Sequence, residues 1–299
     1  MSAKIIAFVN AKGGVGRTTL VVRLGGYLSA AGFRVLVVDN DPRCGLTGQL
    51  RIRKLSEEDE PSVKQVDVLA LYDSYPELTG KRVICKTTFQ NLFLIPSTPY
   101  LVWAELHEDS SRWPTNQGLQ KYLEQVRHGL DFILIDCPSW IGSLTNAALL
   151  AADAALIPTQ ACDIGNIGLI ETLERVEQMK TNFNPGLQLT GIVITMRNRR
   201  SATQAKYEAH LRSILGIDVF PESVPSLLGF AQSPTIENEG RMNFKPTGCR
   251  SLGPSMETFS NELLTRIESQ FRVTRGKLII LDTVSPQQCD EEFVFDVGC

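Results

Sequence analysis

The chain has 299 residues, of which 43% are hydrophobic, so it can bury one sizeable core. Its formal net charge is −3 and its pI is about 5.8. Nucleic-acid binding over the whole surface is therefore excluded, and any such binding would require a local basic patch. There is no signal peptide and no run of about 18 apolar residues that could span a bilayer, so we expect a cytoplasmic protein.

A glycine-rich loop follows the first apolar segment of the chain. Residues 4–9 predict a short buried strand, and residues 18–31 have the periodicity of a helix. Between them lies NAKGGVGRTT, residues 10–19, whose glycines let backbone N–H groups surround a phosphate chain at the positive end of the helix dipole. Thr18 stands where a hydroxyl would bind Mg²⁺. Strand, loop and helix in this order predict a nucleotide phosphate site.

Two later apolar segments end in carboxylates. Residues 34–38 are followed by Asp39 and Asp41, and residues 132–136 end at Asp136. A single Asp after a strand is usually a helix cap or a turn residue, and we would assign that role to either segment alone. Because parallel strands bring their C-terminal ends to one edge of a sheet, the carboxylates and the glycine loop together predict one site there.

The order of the apolar segments predicts the fold class. Helical or long connecting segments separate strands near residues 4–9, 34–38, 92–95, 132–136, 154–158 and 189–195. This alternation is typical of an α/β protein with a doubly wound, mainly parallel sheet and helices on both faces. No Pro/Ser-rich linker divides the chain, so we expect one main domain.

Residues 10–19 resemble the deviant Walker A motif of the ParA/MinD family of P-loop ATPases at every position but one. In that family a lysine at the position of Lys12 reaches across a nucleotide-sandwich dimer to the phosphates of the partner. The departure is Arg17, which replaces the general P-loop lysine. Guanidinium keeps the positive charge but is larger, planar and forked, so phosphate affinity is expected to survive better than hydrolysis.

The same resemblance implies roles for the other segments and ATP with Mg²⁺ as cofactors. Asp39 would support the Mg²⁺ shell, Asp41 would hold the attacking water, and Asp136 would be an outer-sphere Mg²⁺ partner. The strand that ends near Met196 would approach the adenine base. The implied catalytic residues are Lys12, Asp41 and Arg17; the implied cofactor-binding residues are Gly13, Gly14, Val15, Gly16, Arg17, Thr18, Thr19 and Met196; the implied metal-binding residues are Thr18, Asp39 and Asp136.

The resemblance extends from Ala3 to about Gln270, which suggests a ParA-like ATPase domain over residues 1–271 and a C-terminal extension of unknown role over 272–299. It implies a cytoplasmic switch that dimerises on ATP, associates with the nucleoid and partitions DNA or another cargo. A ParB-like or adaptor protein would stimulate its slow ATP hydrolysis. The alternative is a nucleotide-binding scaffold with negligible hydrolysis, because Arg17 replaces the lysine.

A basic cluster surrounds a helix predicted over residues 201–215, with Glu208 as its only acid. Its cations are Arg197, Arg199, Arg200, Lys206 and Arg212. The resemblance implies sequence-independent DNA binding through phosphate contacts, whereas a solvated helix face explains these cations equally well. The segment 224–234 lacks the arginines of partitioning relatives and carries Phe230, which suggests protein contact or ordinary packing instead.

The cysteines offer a further alternative. The sequence has seven of them with no CxxC spacing, which in a cytoplasmic chain points to free thiols. Because the superfamily includes an iron–sulfur protein, Cys137 and Cys162 are candidate cluster ligands. The apolar strand before Cys137 disfavours this alternative, since a buried thiol there simply packs.

The C-terminal part combines an apolar stripe with an acidic tail. The stripe over residues 255–270 predicts a core-facing helix. Residues 277–284 predict a strand, and the acidic residues 290–296 argue against a membrane anchor, because anionic lipid repels them. Whether the tail docks as a strand, binds a partner or is disordered stays open. We interpret Trp103 and Trp113 as packing residues.

Overall fold

The computed structural model describes residues 2–50, 64–72, 81–106, 117–225 and 252–271. The predicted strand at 277–284, the rest of the C-terminal extension, residues 226–234 and Trp113 lie outside the described residues. The division into a domain at 1–271 and an extension therefore stays a prediction.

The described residues form nine strands, and the longer ones are runs of apolar residues. They are β1 (Lys4–Phe8), β2 (Val35–Asp39), β3 (Lys64–Gln65), β4 (Lys81–Arg82), β5 (Cys85–Lys86), β6 (Leu92–Ile95), β7 (Phe132–Asp136), β8 (Ala154–Gln160) and β9 (Gln188–Thr195). Seven of them form one sheet in the order β5-β6-β2-β7-β1-β8-β9, while β3 and β4 pair separately. All neighbours in the large sheet are parallel except β5 and β6.

Eight α-helices connect or follow these strands in the described part of the chain. They are α1 (Arg17–Ala30), α2 (Gly45–Gln49), α3 (Val102–Leu106), α4 (Gly118–Val126), α5 (Ser143–Ala151), α6 (Asp163–Asn182), α7 (Ala202–Leu215) and α8 (Leu252–Phe271). Four 3₁₀ turns accompany them, at Val68–Leu71, Pro99–Leu101, Arg127–Gly129 and Gly216–Asp218.

The large sheet is buried on both faces, as its continuous apolar strands predict. In β1, Ile5 and Ala7 belong to one core layer, and Ile6 and Phe8 belong to the other. The first layer includes buried residues of α4, α5 and α6, while the second includes those of α1 and α8. The doubly wound, mainly parallel α/β fold is therefore confirmed.

The topology brings the three motif-bearing strands together. Strand β7 lies between β2 and β1, with Asp136 opposite Asp39 on one side and opposite Phe8 on the other. The chain therefore places the loop after β1 and the carboxylates of β2 and β7 at one edge of the sheet. This edge is where open α/β sheets bind ligands.

Two interpretations of apolar residues have different outcomes. The stripe on α8 faces the core, since Phe259 and Leu263 are fully buried. The packing interpretation of Trp103 is wrong, because its side chain on the short helix α3 is 53% exposed. In the part of the chain that the structure describes, every helix is too short or too polar to cross a bilayer.

Candidate nucleotide site

The glycine loop has the backbone conformation that its composition predicts. Gly14 and Gly16 both have φ near 75°, a left-handed conformation that residues with a Cβ rarely adopt. Gly16 is the N-cap of α1, which begins at Arg17. The free N–H groups at the start of this helix are therefore available to a phosphate group.

Elements from the second half of the chain hold the loop in place. The Asn10 side chain accepts a hydrogen bond from Lys12 N at 2.8 Å and donates one to the Pro158 carbonyl at 2.7 Å. The buried Thr172 hydroxyl of α6 accepts from Ala11 N at 2.9 Å. The sequence did not identify Asn10 or Thr172 as site residues, because their roles depend on contacts between distant segments.

A glutamine at the end of β8 contacts three predicted site residues. Gln160 Nε2 donates to the Gly14 carbonyl at 3.0 Å and lies 2.9 Å from Met196 Sδ. Its Oε1 accepts from Lys12 Nζ at 3.3 Å, and Cys162 Sγ lies 3.3 Å from the same ammonium. In this structure, the Lys12 ammonium therefore contacts residues of its own chain. Gln160 follows the strand predicted near residues 154–158, and nothing in the local sequence indicated this role.

The guanidinium of Arg17 is buried inside the loop. Its side chain is 6% exposed, Nη1 donates to the Asn10 carbonyl at 2.7 Å, and Nε lies 3.5 Å from Asp136 Oδ1. The structure thus brings together the substituted P-loop position and the carboxylate that ends β7. This ion pair links the first and third sequence motifs.

Asp136 is fully buried, and burial raises its pKa to about 7 even though Arg17 acts in the opposite direction. Neither of its oxygens accepts a hydrogen bond of normal geometry from the described residues. Burying a charged carboxylate is costly, and Arg17 offsets this cost only in part, since the pKa of Asp136 stays raised. Thr18 stands beside it in the first turn of α1. Mg²⁺ prefers oxygen ligands and commonly uses one or two carboxylates together with substrate phosphates, so these residues fit that ion.

Asp39 is already hydrogen-bonded within the second motif. Its Oδ2 accepts from the Thr47 backbone N at 2.7 Å and from the Thr47 hydroxyl at 2.6 Å, and Oδ1 accepts from Asp41 N at 3.3 Å. Burial raises the pKa of Asp39 to about 6. The side chain orders the loop between β2 and α2, which suits support of a metal shell through other groups more than direct binding.

Asp41 is buried beside an arginine that the sequence analysis did not single out. Arg43 Nη2 lies 3.0 Å from Asp41 Oδ2, and the same Nη2 donates to the Ser139 hydroxyl at 2.6 Å. Arg43 thus joins the loop after β2 to the loop after β7. Its position two residues beyond Asp41 was visible in the sequence, but its partner across the site was not.

The predicted basic cluster is largely neutralised by neighbouring acids. Arg197 and Arg212 both pair with Glu208, at 2.7 and 2.8 Å. Arg199 pairs with Glu222 at 3.1 Å. The remaining two cations, Arg200 and Lys206, are exposed and form no ion pair within the described ranges.

The two candidate cluster cysteines have different surroundings. Cys137 is fully buried at the end of β7, and Cys162 lies beside Lys12. Within the ranges that the structure describes, no three His, Cys, Asp or Glu side chains converge on a metal position. The iron–sulfur alternative gains no support from these residues.

Comparison with known proteins agrees with this geometry. Residues 3–189 match a family described as AAA domain. The chromosome-partitioning ATPase Soj of Treponema pallidum is 33% identical over 238 residues, which cover 78% of this chain and 87% of that protein. The chromosome partitioning protein ParA of Caulobacter vibrioides is 30% identical over 241 residues, covering 78% and 84%. The structure of a variant of Cyanothece McdA in complex with ATP has a TM-score of 0.71 at 26% identity, covering 88% and 97%. With these similarities and this glycine loop, the chain belongs to the ParA/MinD family of P-loop ATPases.

Proposed function

We propose that this chain is an ATP-dependent molecular switch that dimerises face to face on ATP and positions DNA or another intracellular cargo. Membership of a family of partitioning ATPases supports ATPase activity and a positioning role. The observation that carries the proposal is the buried Asp136 carboxylate, which accepts no hydrogen bond of normal geometry from the described residues and adjoins the phosphate loop. It provides negative charge and oxygen atoms for a nucleotide-bound cation.

The residues of the loop divide the work of binding Mg²⁺–ATP. The amides of residues 13–19 and the Lys12 ammonium would bind phosphate oxygens, and Met196 would lie near the adenine base. Thr18 and Asp136 would hold Mg²⁺, with Asp39 ordering the adjoining loop. When bound, the ion neutralises charge on the transferred phosphoryl group.

The reaction would be in-line attack of water on the γ-phosphate. Catalysis of this kind consists mainly of positioning and charge neutralisation. Asp41 would accept a hydrogen bond from the attacking water, and Lys12 and Arg17 would stabilise charge on the phosphate oxygens. Because the guanidinium of Arg17 is buried between the Asn10 carbonyl and Asp136, it has little freedom to follow the moving charge. We therefore expect slow hydrolysis that a ParB-like or adaptor protein accelerates.

A second function is favoured by the same arginine. A nucleotide-binding scaffold would keep ATP-dependent dimerisation but hydrolyse ATP negligibly. The confinement of Arg17 supports this alternative, since the planar guanidinium cannot replace an ammonium at every stage of the reaction. The two functions differ only in turnover, so a rate measurement separates them.

The dimer is tested by replacing Lys12. If Lys12 leaves Gln160 and contacts the nucleotide of the partner, Lys12→Ala should bind ATP measurably but fail to dimerise. Size-exclusion chromatography with light scattering, in ATP and in ADP, measures the change in mass. Lys86→Ala on the edge strand β5 is the matched control, and it should dimerise like the wild type. Dimerisation of Lys12→Ala on ATP at wild-type concentrations would refute the sandwich arrangement.

Nonspecific DNA is the proposed scaffold, which implies a cytoplasmic, nucleoid-associated protein. Since three arginines of the basic cluster pair with acids, Arg200 and Lys206 are the cations best placed for DNA phosphates. Reversing both to Glu should weaken binding to any duplex alike, and wild-type affinity should fall steeply with salt. Lys121→Glu on α4 is the control. Absence of ATP-dependent binding at low salt would exclude DNA and favour a protein scaffold.

A further inference from the structure

Both oxygens of the Asp41 carboxylate accept hydrogen bonds from Arg43. Oδ1 accepts from the Arg43 backbone N at 2.9 Å and from Arg43 Nε at 3.2 Å. Oδ2 accepts from Arg43 Nε at 3.2 Å and Nη2 at 3.0 Å. These contacts come from three N–H groups of Arg43, and the single Nε hydrogen is shared between the two oxygens, so both oxygens of the carboxylate are engaged. The residue proposed to hold the attacking water is therefore blocked in this structure.

The blocking guanidinium is anchored on the opposite side of the site. Its Nη2 donates to the Ser139 hydroxyl at 2.6 Å, and its carbon atom Cζ lies 5.9 Å from the centre of the Trp140 ring. The Trp140 indole donates in turn to Glu105 at 2.9 Å. Arg43 is thus held between the two loops that carry Asp41 and Asp136.

The contact is too exposed to act mainly as a stabilising ion pair. The Arg43 side chain is 57% exposed, whereas that of Asp41 is 6% exposed. Exposed ion pairs typically shift an equilibrium by at most about fivefold. The guanidinium can therefore leave at a small cost in free energy. While it is bound, it engages both oxygens of the buried carboxylate.

We infer that Arg43 is a latch on the hydrolytic step, which withholds Asp41 from water until the guanidinium moves away. The inference rests on the proposed role of Asp41. With the latch closed, Arg43 competes with the attacking water for both oxygens of Asp41. Opening frees at least one carboxylate oxygen and leaves the phosphate loop unchanged, so the latch controls the rate of hydrolysis and leaves ATP affinity unaffected.

The test is single-turnover hydrolysis at saturating enzyme with Mg²⁺–ATP. Arg43→Ala should raise the basal rate about fivefold, the limit set by an exposed ion pair, with ATP affinity unchanged. Arg43→Lys should fall between the wild type and Arg43→Ala, because an ammonium keeps the charge but cannot occupy both oxygens. Ser139→Ala removes only the anchor and should raise the rate about twofold. It provides a second measurement should Arg43→Ala fold poorly.

The Asp41→Ala variant separates failure of the latch from failure of the proposed function. We expect Asp41→Ala to abolish hydrolysis, and Arg43→Ala to produce no gain in that background. Full activity of Asp41→Ala would overturn the role of Asp41 and the latch with it. Loss of activity in Asp41→Ala, together with an unchanged or lower rate in Arg43→Ala and Ser139→Ala, would overturn the latch alone.

Discussion

Gly168 on α6 packs against the phosphate loop, and a methyl group there should disturb ATP binding. A Cβ at this position would lie 2.8 Å from Lys12 Cβ, 2.9 Å from Lys12 N and 3.0 Å from Asn10 Oδ1. Ordinary contacts of a Cβ begin at 3.4 Å. The loop and the helix must therefore separate by about half an ångström to admit Gly168→Ala, since overpacked atoms displace the backbone.

The displacement should change ATP affinity more than stability. Overpacking costs about 1–3 kcal/mol, but alanine in a helix interior recovers about 1 kcal/mol relative to glycine. The phosphate contacts of the loop amides gain nothing in return. A misplacement of 1 Å at a reacting site lowers the reaction rate about 10²-fold, and we take the same sensitivity for the binding of the phosphates. For half that displacement we expect ATP affinity to fall about tenfold, which corresponds to about 1.4 kcal/mol.

Isothermal titration with a non-hydrolysable ATP analogue in Mg²⁺ measures the affinity of Gly168→Ala. The control is Gly48→Ala on α2, where a Cβ would meet no atom within 4 Å. Circular dichroism establishes that both variants are folded. If folded Gly168→Ala binds the analogue as tightly as the wild type, the loop tolerates displacement and the contact with α6 does not set its geometry.

Three further predictions concern charged side chains. Arg17→Lys should accelerate single-turnover hydrolysis at least about tenfold with ATP affinity little changed, since a well-placed electrostatic donor contributes about 10²–10³ in rate; an equal or lower rate would make the arginine part of the catalytic geometry. Burial raises the pKa of Asp136 from 3.8 to about 7, so its protonated form stabilises the metal-free fold below 3.8 and this contribution is lost as the pH rises through 7. In urea unfolding with EDTA, the free energy of unfolding of the wild type should fall by roughly 1 kcal/mol more than that of Asp136→Asn between pH 6 and 8. Parallel plots of this free energy against pH would contradict the assigned pKa. Glu105 accepts hydrogen bonds from the amides of Ser143 and Leu144 at 2.8 and 3.1 Å, so Glu105→Ala should destabilise the fold by about 1 kcal/mol through loss of a helix cap; an unchanged melting temperature would show that water replaces the cap.

Local patterns were sufficient for most of the fold. Apolar runs predicted the six parallel strands of the large sheet, and helical periodicity predicted α1, α7 and α8 within a few residues. The antiparallel strand β5 has only two residues, so it leaves no periodic pattern. Trp103 was misinterpreted because a large apolar side chain on a short helix can face solvent, and composition alone does not show which way it faces.

The site was predictable where its residues follow a strand directly. The glycine loop, Asp39, Asp41 and Asp136 are recognisable from the apolar run before each of them. Gln160 and Thr172 were not, because they act through hydrogen bonds on a loop about 150 residues earlier. The capture of Asp41 by Arg43 also depends on Ser139, 96 positions away, which no local pattern contains.

The dependence of the phosphate loop on distant tethers has a consequence for the newly made chain. Three loop residues form hydrogen bonds with residues much later in the chain. The sequence separation is 148 positions for Asn10, 161 for Ala11 and 180 for Val15. At about 5–20 residues per second, synthesis completes the last of these tethers roughly 10–40 s after the loop itself. Until then the loop lacks the hydrogen bond that the hydroxyl of Thr195, the last residue of β9, donates to the Val15 carbonyl. A nascent chain is therefore expected to acquire nucleotide affinity only after β9 has been made, which keeps incomplete chains from engaging ATP.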